Sequence, residues 1–377
     1  MGVIDKLKKF GACIGGGMVW FAANDAVTYR NLDKPKKKLT RWTKDRLRNI
    51  FPSVTLSDVR YKTDCSLPSN WFSGSGASAM TMGQHIYFDK SGVINNRSGF
   101  DLLIHEMVHV EQWQKMREDH WNDTDTHWEY GCEYGEGYWN AGFDYYSNPM
   151  EAEAYDFQRR LALTLDIQFY RNKYAQHLRR KKDFATYNHW LAFGIKEGWQ
   201  GSIIFDPTYY LSMRPAIQRL FGKNAYAAAT SIWLRDGIKL GKPTTRAFDP
   251  VWYVNHHKDL RDTIGGDYEA SLMHWADQGI KDGRRGNRII DLWFYLNHNK
   301  DLRKVFRSKM KYIHALEHWF IYGIAEGRRT SPAFDVKYYL QSYKDLRKAF
   351  GPQGYSAAMD HWVNYGLNEG RKSSEDF

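Results

Sequence analysis

Apolar side chains recur at helical spacing in residues 101–113 and predict a buried helix there. They are Leu102, Leu103, Ile104, Met107, Val108 and Val110. The segment from Ser98 to Asp101 resembles a capping box, which predicts that the helix begins there. A second helix is predicted from Asn148 and Pro149, because these residue types are typical of a cap and a first helical turn.

Shorter elements are predicted around these two helices. Alternating apolar and polar residues predict one strand over residues 54–61 and another over residues 84–88. The second is either an edge strand that pairs with an extended substrate or an interior strand without a substrate role. Residues 34–50 predict a basic amphipathic helix capped near Thr40, and residues 120–148 predict a loop rich in Tyr, Trp, Gly and acids.

The second half of the chain is an internal repeat. Tryptophans recur at intervals of 43, 42, 44 and 43 residues, at Trp190, Trp233, Trp275, Trp319 and Trp362. A block that contains Asp, twice followed by Pro, recurs in step with them and predicts a helix start in each unit. Each unit is therefore predicted to be a pair of helices, and the stacked units an all-α solenoid of helical-hairpin repeats over residues 183–377.

Histidines precede most of these tryptophans, at His189, His274, His318 and His361. Ile232 replaces one of them without disturbing the period, and the spacing separates them widely. We therefore predict that they are structural residues and not metal ligands.

The net charge does not identify one class of partner, and the cysteines do not reveal whether a disulfide forms. The net charge of +11 favours anionic partners, but no nucleic-acid motif accompanies it, so we expect no specific nucleic-acid partner. Cys13, Cys65 and Cys132 allow either a bridge between Cys65 and Cys132 or three free thiols.

Residues 1–23 combine a basic start with an apolar stretch, as a secretory or export leader does. Three consecutive glycines interrupt the apolar part, and the stretch is short for a membrane helix, so no transmembrane span is expected. We interpret these residues as a short leader or a packing segment.

The predicted helix over residues 101–113 carries the pattern H-E-x-x-H. Residues four apart lie on one face of a helix, so His105 and His109 can bind one metal ion, with Glu106 beside it as general base. A catalytic zinc requires a third protein ligand and an open position. Glu151, in the first turn of the second predicted helix, is the candidate, and Glu153 is the alternative third ligand.

Residues 81–88, which end in Ile-Tyr-Phe, and residues 102–112, which contain the two histidines, carry a family resemblance. Together they resemble the zincin-like core domain associated with extracellular contractile injection systems, over about residues 50–160. The resemblance implies an α+β zincin-like metallopeptidase of the gluzincin type, with Glu151 as third ligand. Tyr155 stands where such families often have an acid or Asn. The repeats are similar to repeats of secreted and surface bacterial proteins.

These observations lead to one hypothesis and its rivals. Residues 1–48 are a leader and basic segment, residues 49–182 a zincin-like metallopeptidase domain and residues 183–377 a helical repeat domain. The chain is expected to be a Zn²⁺-dependent peptidase that acts on a protein or peptide, and the repeats are expected to bind a protein or glycan target, or a carrier. An aromatic residue or histidine of residues 120–148 is expected to stabilise the oxyanion.

The alternative is a non-enzymatic binding or adhesion protein, in which the zincin-like domain is a loading module or a pseudo-enzyme. A third interpretation is a toxin-like effector whose peptidase acts after delivery. The expected localisation is secretion, or delivery by a secretion or injection apparatus, and otherwise the cytoplasm before export.

Overall fold

The structure is a computed structural model that describes residues 3–68, 78–120 and 122–376, with side chains from residue 11 onward. The chain forms two compact units. The first unit consists of Met1–Ala162 and Tyr187–Ala192, and the second of Leu163–Thr186 and Phe193–Phe377. The sequence-based boundaries after residues 48 and 182 stay predictions. Among the described residues, no helix has the length and apolar character that crossing a membrane requires.

The first unit combines helices with a small sheet. Its helices are α1 (Val3–Arg30), α2 (Arg41–Leu47), α3 (Arg97–Glu118), α4 (Asp123–Asn140) and α5 (Pro149–Leu163), with a 3-10 turn (Val93–Asn95) before α3. Its strands are β1 (Lys37–Lys38), β2 (Arg60–Lys62), β3 (Ala79–Met82) and β4 (His85–Phe88). The sheet order is β1-β2-β4-β3, with β4 parallel to β2 and antiparallel to β3.

The sheet decides between the two interpretations of residues 84–88. The strand β4 lies between β2 and β3, so it is an interior strand, and among the described residues the edges are β1 and β3. The strand predicted over residues 54–61 is wrong for most of its length, because this segment turns. There the Leu56 N–H donates to the Val54 carbonyl and the Asp58 N–H to the Thr55 carbonyl.

The helices α1 and α4 approach each other closely through glycine. A Cβ on Gly16 would collide with the backbone of Gly131 and Gly135, and a Cβ on Gly131 would collide with Trp20 and Gly17. Of the glycines that interrupt the apolar N-terminal stretch, Gly16 and Gly17 are therefore part of a helix-packing surface. Of the two interpretations of residues 1–23, packing is what the structure shows for the described part.

A disulfide joins the same two helices. It links Cys13 of α1 to Cys132 of α4 and leaves Cys65 as a buried free thiol. The predicted alternatives, a bridge between Cys65 and Cys132 or three free thiols, are both wrong. Sequence spacing did not reveal the pairing because 119 residues separate the two cysteines.

Helix ends differ from the predictions in two places. Residues 123–140, predicted as part of a loop, form α4, whose cap Asn122 accepts a hydrogen bond from the Asp125 N–H at 3.0 Å. Its glycines and aromatics hide the helical period because both of its faces are used. The cap of α3 is Asn96, which accepts from the Gly99 N–H at 2.9 Å, and not Ser98.

Two predicted caps are confirmed. Thr40 accepts from the Thr43 N–H at 3.1 Å and begins α2, although this helix covers only part of residues 34–50. Asn148 accepts from the Met150 N–H at 3.1 Å where α5 begins at Pro149.

Short helices build the second unit. Those near its start are α6 (Ile167–Lys173), α7 (Ala175–Leu178) and α8 (Asp183–His189), of which Tyr187–His189 are assigned to the first unit. They are followed by α9 (Pro207–Ser212), α10 (Pro215–Phe221), α11 (Tyr226–Arg235), α12 (Pro250–His256), α13 (Lys258–Thr263) and α14 (Tyr268–His274). The last are α15 (Leu292–His298), α16 (Lys300–Val305), α17 (Lys311–His318), α18 (Val336–Ser342), α19 (Lys344–Phe350) and α20 (Tyr355–His361).

Four full repeat copies are named here by their opening residues Asp206, Asp249, Asp291 and Asp335. Each copy contains three helices and not the predicted pair, since a short middle helix follows the first one. Each opening aspartate caps the first helix of its copy with its side chain. Its backbone N–H donates to a carbonyl at the end of the same copy, for example from Asp249 to Gly286 at 3.0 Å.

The recurrent histidine, tyrosine and glycine contact one another within a repeat copy. In the Asp291 copy the Tyr295 hydroxyl is hydrogen-bonded to His318 Nδ1 at 3.1 Å, and a Cβ on Gly323 would collide with that hydroxyl. The same tyrosine–histidine bond measures 2.9 Å in the Asp249 and Asp335 copies.

The recurrent Asp-Leu-Arg and Gly-Arg motifs are partners. The aspartate of the first motif pairs with the arginine of the second, as between Asp301 and Arg328 at 2.8 Å. The Asp249 and Asp335 copies contain the same ion pair, with Arg284 and Arg371. The Asp206 copy has neither motif, so the two motifs occur together in these four copies, as expected for partners in an ion pair.

Contacts also join copies that are three apart. Lys173 of α6 donates to the Phe320 carbonyl of the Asp291 copy at 3.2 Å. Arg246, at the end of the Asp206 copy, pairs with Asp206 at 3.2 Å and with Asp360 of the Asp335 copy at 2.7 Å. The repeats therefore also pack on copies that are not their sequence neighbours.

Candidate metal centre

Two helices bring the three predicted ligands together. His105 and His109 lie one turn apart on α3, with ring centroids 5.1 Å apart, and Glu151 lies in the first turn of α5. The Glu151 Oε2 atom is 3.4 Å from the Nε2 atoms of both His105 and His109. All three side chains are buried, and their ligand atoms lie within 4.8 Å of one another. This cluster can hold a metal ion.

Two glutamines fix which ring nitrogens face the cluster. The Gln158 amide donates to the Asp101 carbonyl at 2.6 Å, so its oxygen accepts from His105 Nδ1–H at 3.2 Å. The Gln112 amide donates to the Met150 carbonyl at 3.0 Å, so its oxygen accepts from His109 Nδ1–H at 2.9 Å. Both imidazoles therefore face Glu151 with Nε2, the ring nitrogen that is left to bind a metal ion or a proton.

The donor set fits a divalent metal. The Oε2 atom of Glu151 is buried and has no hydrogen-bond partner among the described residues, although it faces two imidazole nitrogens. A buried carboxylate oxygen without a partner is costly unless an ion or a proton satisfies it. Two neutral imidazoles and one carboxylate form the ligand set of many catalytic zinc sites.

Without a metal, charge pairing holds the cluster together. Burial by itself lowers the pKa of His109, but the facing Glu151 carboxylate outweighs burial and raises this pKa to about 9. Burial raises the pKa of Glu151, and the two imidazoles outweigh it and hold this pKa far below its usual range. A proton on His109 thus occupies the place that a metal ion takes.

Tyrosines surround the other oxygen of Glu151. The buried Tyr134 of α4 donates to Glu151 Oε1 at 3.0 Å, and the hydroxyl of Tyr145 is also hydrogen-bonded to this carboxylate. The ring of Tyr155 packs against that of His105 at 4.6 Å, and its side chain is half-exposed. Burial, followed by the charge of Glu151, raises the pKa of Tyr155 to about 12, so its hydroxyl keeps its proton.

A hydrogen bond connects Glu106 to β3, an edge strand of the sheet among the described residues. The Thr81 hydroxyl on β3 donates to Glu106 Oε2 at 2.6 Å, and both side chains are buried. Because β3 contacts α3 directly, the sheet holds this carboxylate on the helix that carries both histidines.

The alternative third ligand lies elsewhere. Glu153 is exposed and accepts from the Gln112 amide at 2.8 Å, so it supports Gln112 and does not join the cluster. The reason is the predicted one, because two residues on a helix separate Glu153 from the face of Glu151.

Sequence reasoning missed Thr81, Gln112, Gln158 and the placement of Tyr155. Gln112 and Gln158 carry a signal that is visible in hindsight. Gln112 follows His109 by three residues, and Gln158 follows Glu151 by seven, which places both on the faces of the ligands.

Comparison with known proteins identifies part of the first unit. Residues 39–117 match the eCIS core domain. The match supports an association of this chain with extracellular contractile injection systems. It includes His105, Glu106 and His109 and ends before Glu151. No curated protein and no solved structure matches the chain.

Proposed function

We propose that the chain is a zinc metallopeptidase that hydrolyses peptide bonds and whose repeats bind a target or carrier. The observation that carries this proposal is the buried convergence of His105, His109 and Glu151, with the unpaired Glu151 oxygen between two imidazoles. Both histidines are held by glutamines in the tautomer that metal binding requires, and this favours a preformed site.

The residues of the site have separate roles in the proposed reaction. His105, His109 and Glu151 would hold the zinc ion, which would supply the Lewis acidity that acidifies a water molecule and polarises a peptide carbonyl. Glu106 accepts the proton of that water and returns it to the leaving amine. Thr81 occupies Oε2 of Glu106, so Oε1 is the oxygen that carries this proton.

Two further elements support peptide chemistry. The strand β3 is an edge of the sheet beside α3, and an extended peptide can add to such an edge. Tyr155, whose ring packs on His105 and whose hydroxyl keeps its proton, is the donor that we propose for a developing oxyanion, in place of the residue expected within 120–148.

The test is the Glu106→Gln variant. We expect one zinc per chain in both proteins by elemental analysis, and cleavage of labelled unfolded casein by the unmodified protein alone. The glutamine cannot take up the proton but keeps the volume and the Thr81 contact. Cleavage by this variant, or its loss together with the zinc, would contradict the role given to Glu106.

The eCIS core match favours a second function, in which the first unit loads the protein onto an injection apparatus as an effector, toxin or adhesion protein. Zinc content does not separate the two functions, because a loading module can also bind the metal. Incubation with mixed polypeptides, with and without a chelator, does separate them. Products that a chelator prevents support the peptidase, and their absence in the fully zinc-loaded protein favours loading alone.

A further inference from the structure

A pocket of about 710 Å³ lies within the Asp291 copy, between α15, α16 and α17. Five of its lining residues are cations and none is an acid. The cations are Lys300, Arg303, Lys304, Arg307 and Lys311. Trp293, Phe306 and Tyr312 add three aromatic rings, of which the Trp293 side chain is 62% exposed.

The neighbouring copies show that the repeat fold does not require this charge. Residues 300–311 contain six cations and one acid. The matching residues 258–267 of the Asp249 copy contain two cations and three acids, and residues 344–354 of the Asp335 copy contain three cations and one acid. Since all three copies form the same three α-helices, the excess cations of the Asp291 copy are not required by the repeat fold.

Individual positions give the same result. Arg307 stands where the flanking copies have Gly265 and Gly351, both with left-handed φ angles of 59° and 77°. Trp293 stands where they have Val251 and Lys337. The loop after α16 therefore follows a different course in the Asp291 copy, and it brings Arg307 into the pocket wall.

The cations of the pocket form no ion pair with an acid among the described residues, although Lys311 lies over the Tyr312 ring at 4.8 Å. Asp301 of the same copy instead pairs with Arg328. In the flanking copies, the arginines that match Arg303 donate to backbone carbonyls of their own copy, as Arg261 does to Asn255. Repulsion among unpaired like charges favours a bound anion.

The chemistry of the pocket restricts the ligand. Lysine and arginine only donate hydrogen bonds, so the ligand must supply acceptors, and anionic oxygens are the strongest ones. The exposed Trp293 ring provides an apolar surface for a flat or ring-shaped group. Single-stranded nucleic acid requires a basic groove that continues along several nucleotides, and the Asp249 copy beside the pocket is acidic in the matching stretch.

We propose that the pocket of the Asp291 copy binds a short segment of an anionic glycan, whose sulfate, phosphate or carboxylate groups contact the cations while a sugar ring packs on Trp293. This rests on the target-binding role proposed for the repeats and not on the metal site. The Glu106→Gln variant is therefore expected to keep glycan binding, which distinguishes failure of this inference from failure of the peptidase proposal.

The test compares two variants of the full chain with the same change of net charge. Lys304→Asp introduces the residue that the Asp249 copy has at this position, Asp262. The control Lys344→Gln/Lys348→Gln removes two charges from the matching stretch of the Asp335 copy. Trp293→Val, which introduces the residue at position 251, tests the aromatic contact. Titration calorimetry uses heparin and polygalacturonate as anionic glycans, dextran as the neutral one, and oligothymidylate as nucleic acid.

We expect an anionic glycan to bind and dextran not to bind. Loss of a charged contact is expected to weaken binding about tenfold in Lys304→Asp, while the control stays within about twofold. Trp293→Val is expected to weaken it several-fold with unchanged stoichiometry. Equal weakening by Lys304→Asp and by the control would reduce the effect to general attraction by net charge and overturn the proposal. Absence of glycan binding, or tighter binding of oligothymidylate, would overturn it as well.

Discussion

Histidines have two kinds of surroundings in this chain. In the first unit, His105 and His109 are buried, glutamines hold their Nδ1 atoms, and their Nε2 atoms converge on Glu151. In the repeats, His274, His318 and His361 bond through Nδ1 to a tyrosine of their own copy, as His318 does to Tyr295. Convergence of free ring nitrogens, and not the number or spacing of histidines, separates a metal site from a structural contact.

The largest effect is expected where that convergence is broken. Glu151→Ala removes a ligand and leaves two imidazoles without a counter-charge, so zinc affinity should fall by more than the about 10- to 100-fold typical of outer partners. Competition with a chromogenic chelator measures this affinity. The control His318→Gln should keep full zinc affinity and lose about 1 kcal/mol of unfolding free energy through the Tyr295 bond. Loss of zinc affinity in the control would contradict the distinction between metal-binding histidines in the first unit and structural histidines in the repeats.

A tyrosine beside each kind of histidine allows a second comparison between the metal site and the repeats. Tyr155→Phe removes a hydroxyl beside His105 and should lower kcat about 100-fold with little change in KM, because the bond forms only in the transition state. Tyr295→Phe removes a hydroxyl that bonds His318 and should change thermal stability without changing kcat. Steady-state cleavage of casein-derived peptides and thermal melts give both values. A KM effect alone in Tyr155→Phe would assign it to substrate binding.

A smaller effect is expected beyond the ligands. Gln158→Ala leaves His105 Nδ1 without its acceptor and should weaken zinc binding about 10- to 100-fold, while the fold stays intact. Chelator competition beside a circular dichroism spectrum checks this result. Unchanged affinity would mean that packing by Tyr155 alone orients the His105 ring.

The smallest expected effect is the pH dependence of the metal-free fold and of zinc binding, which follows from the protonation of His109. The pKa of His109 without metal is raised to about 9 from 6.5. Its ion pair therefore stabilises the metal-free fold fully below pH 6.5 and loses this contribution as the pH rises through about 9. Zinc binding needs the neutral imidazole, so about one proton should be released per zinc at pH 7.5 and almost none at pH 10. Calorimetry in two buffers of different ionisation enthalpy measures this release.

Local patterns predicted the parts of the site that lie close together in sequence. The helical spacing of His105 and His109 and the start of α5 at Asn148 follow from side chains and backbone within a few residues. The loop predicted over residues 120–148 failed because α4 packs α1 on one face and the metal cluster on another. Asp125, Glu129 and Glu133 do form an exposed polar stripe, but the packed faces are built from glycines and tyrosines, which are poor signals of a buried apolar helix face.

The sequence by itself determined the repeat period, the aspartate caps that start the first helix of each copy and the chemical types of the candidate ligands, because each depends on neighbours along the chain. Only the tertiary structure decided that Cys13 pairs with Cys132, that β4 is interior, and that Glu151 rather than Glu153 faces the histidines. It also brought five cations of the Asp291 copy into the wall of one pocket. These outcomes depend on contacts between distant segments, whose geometry a linear pattern does not contain.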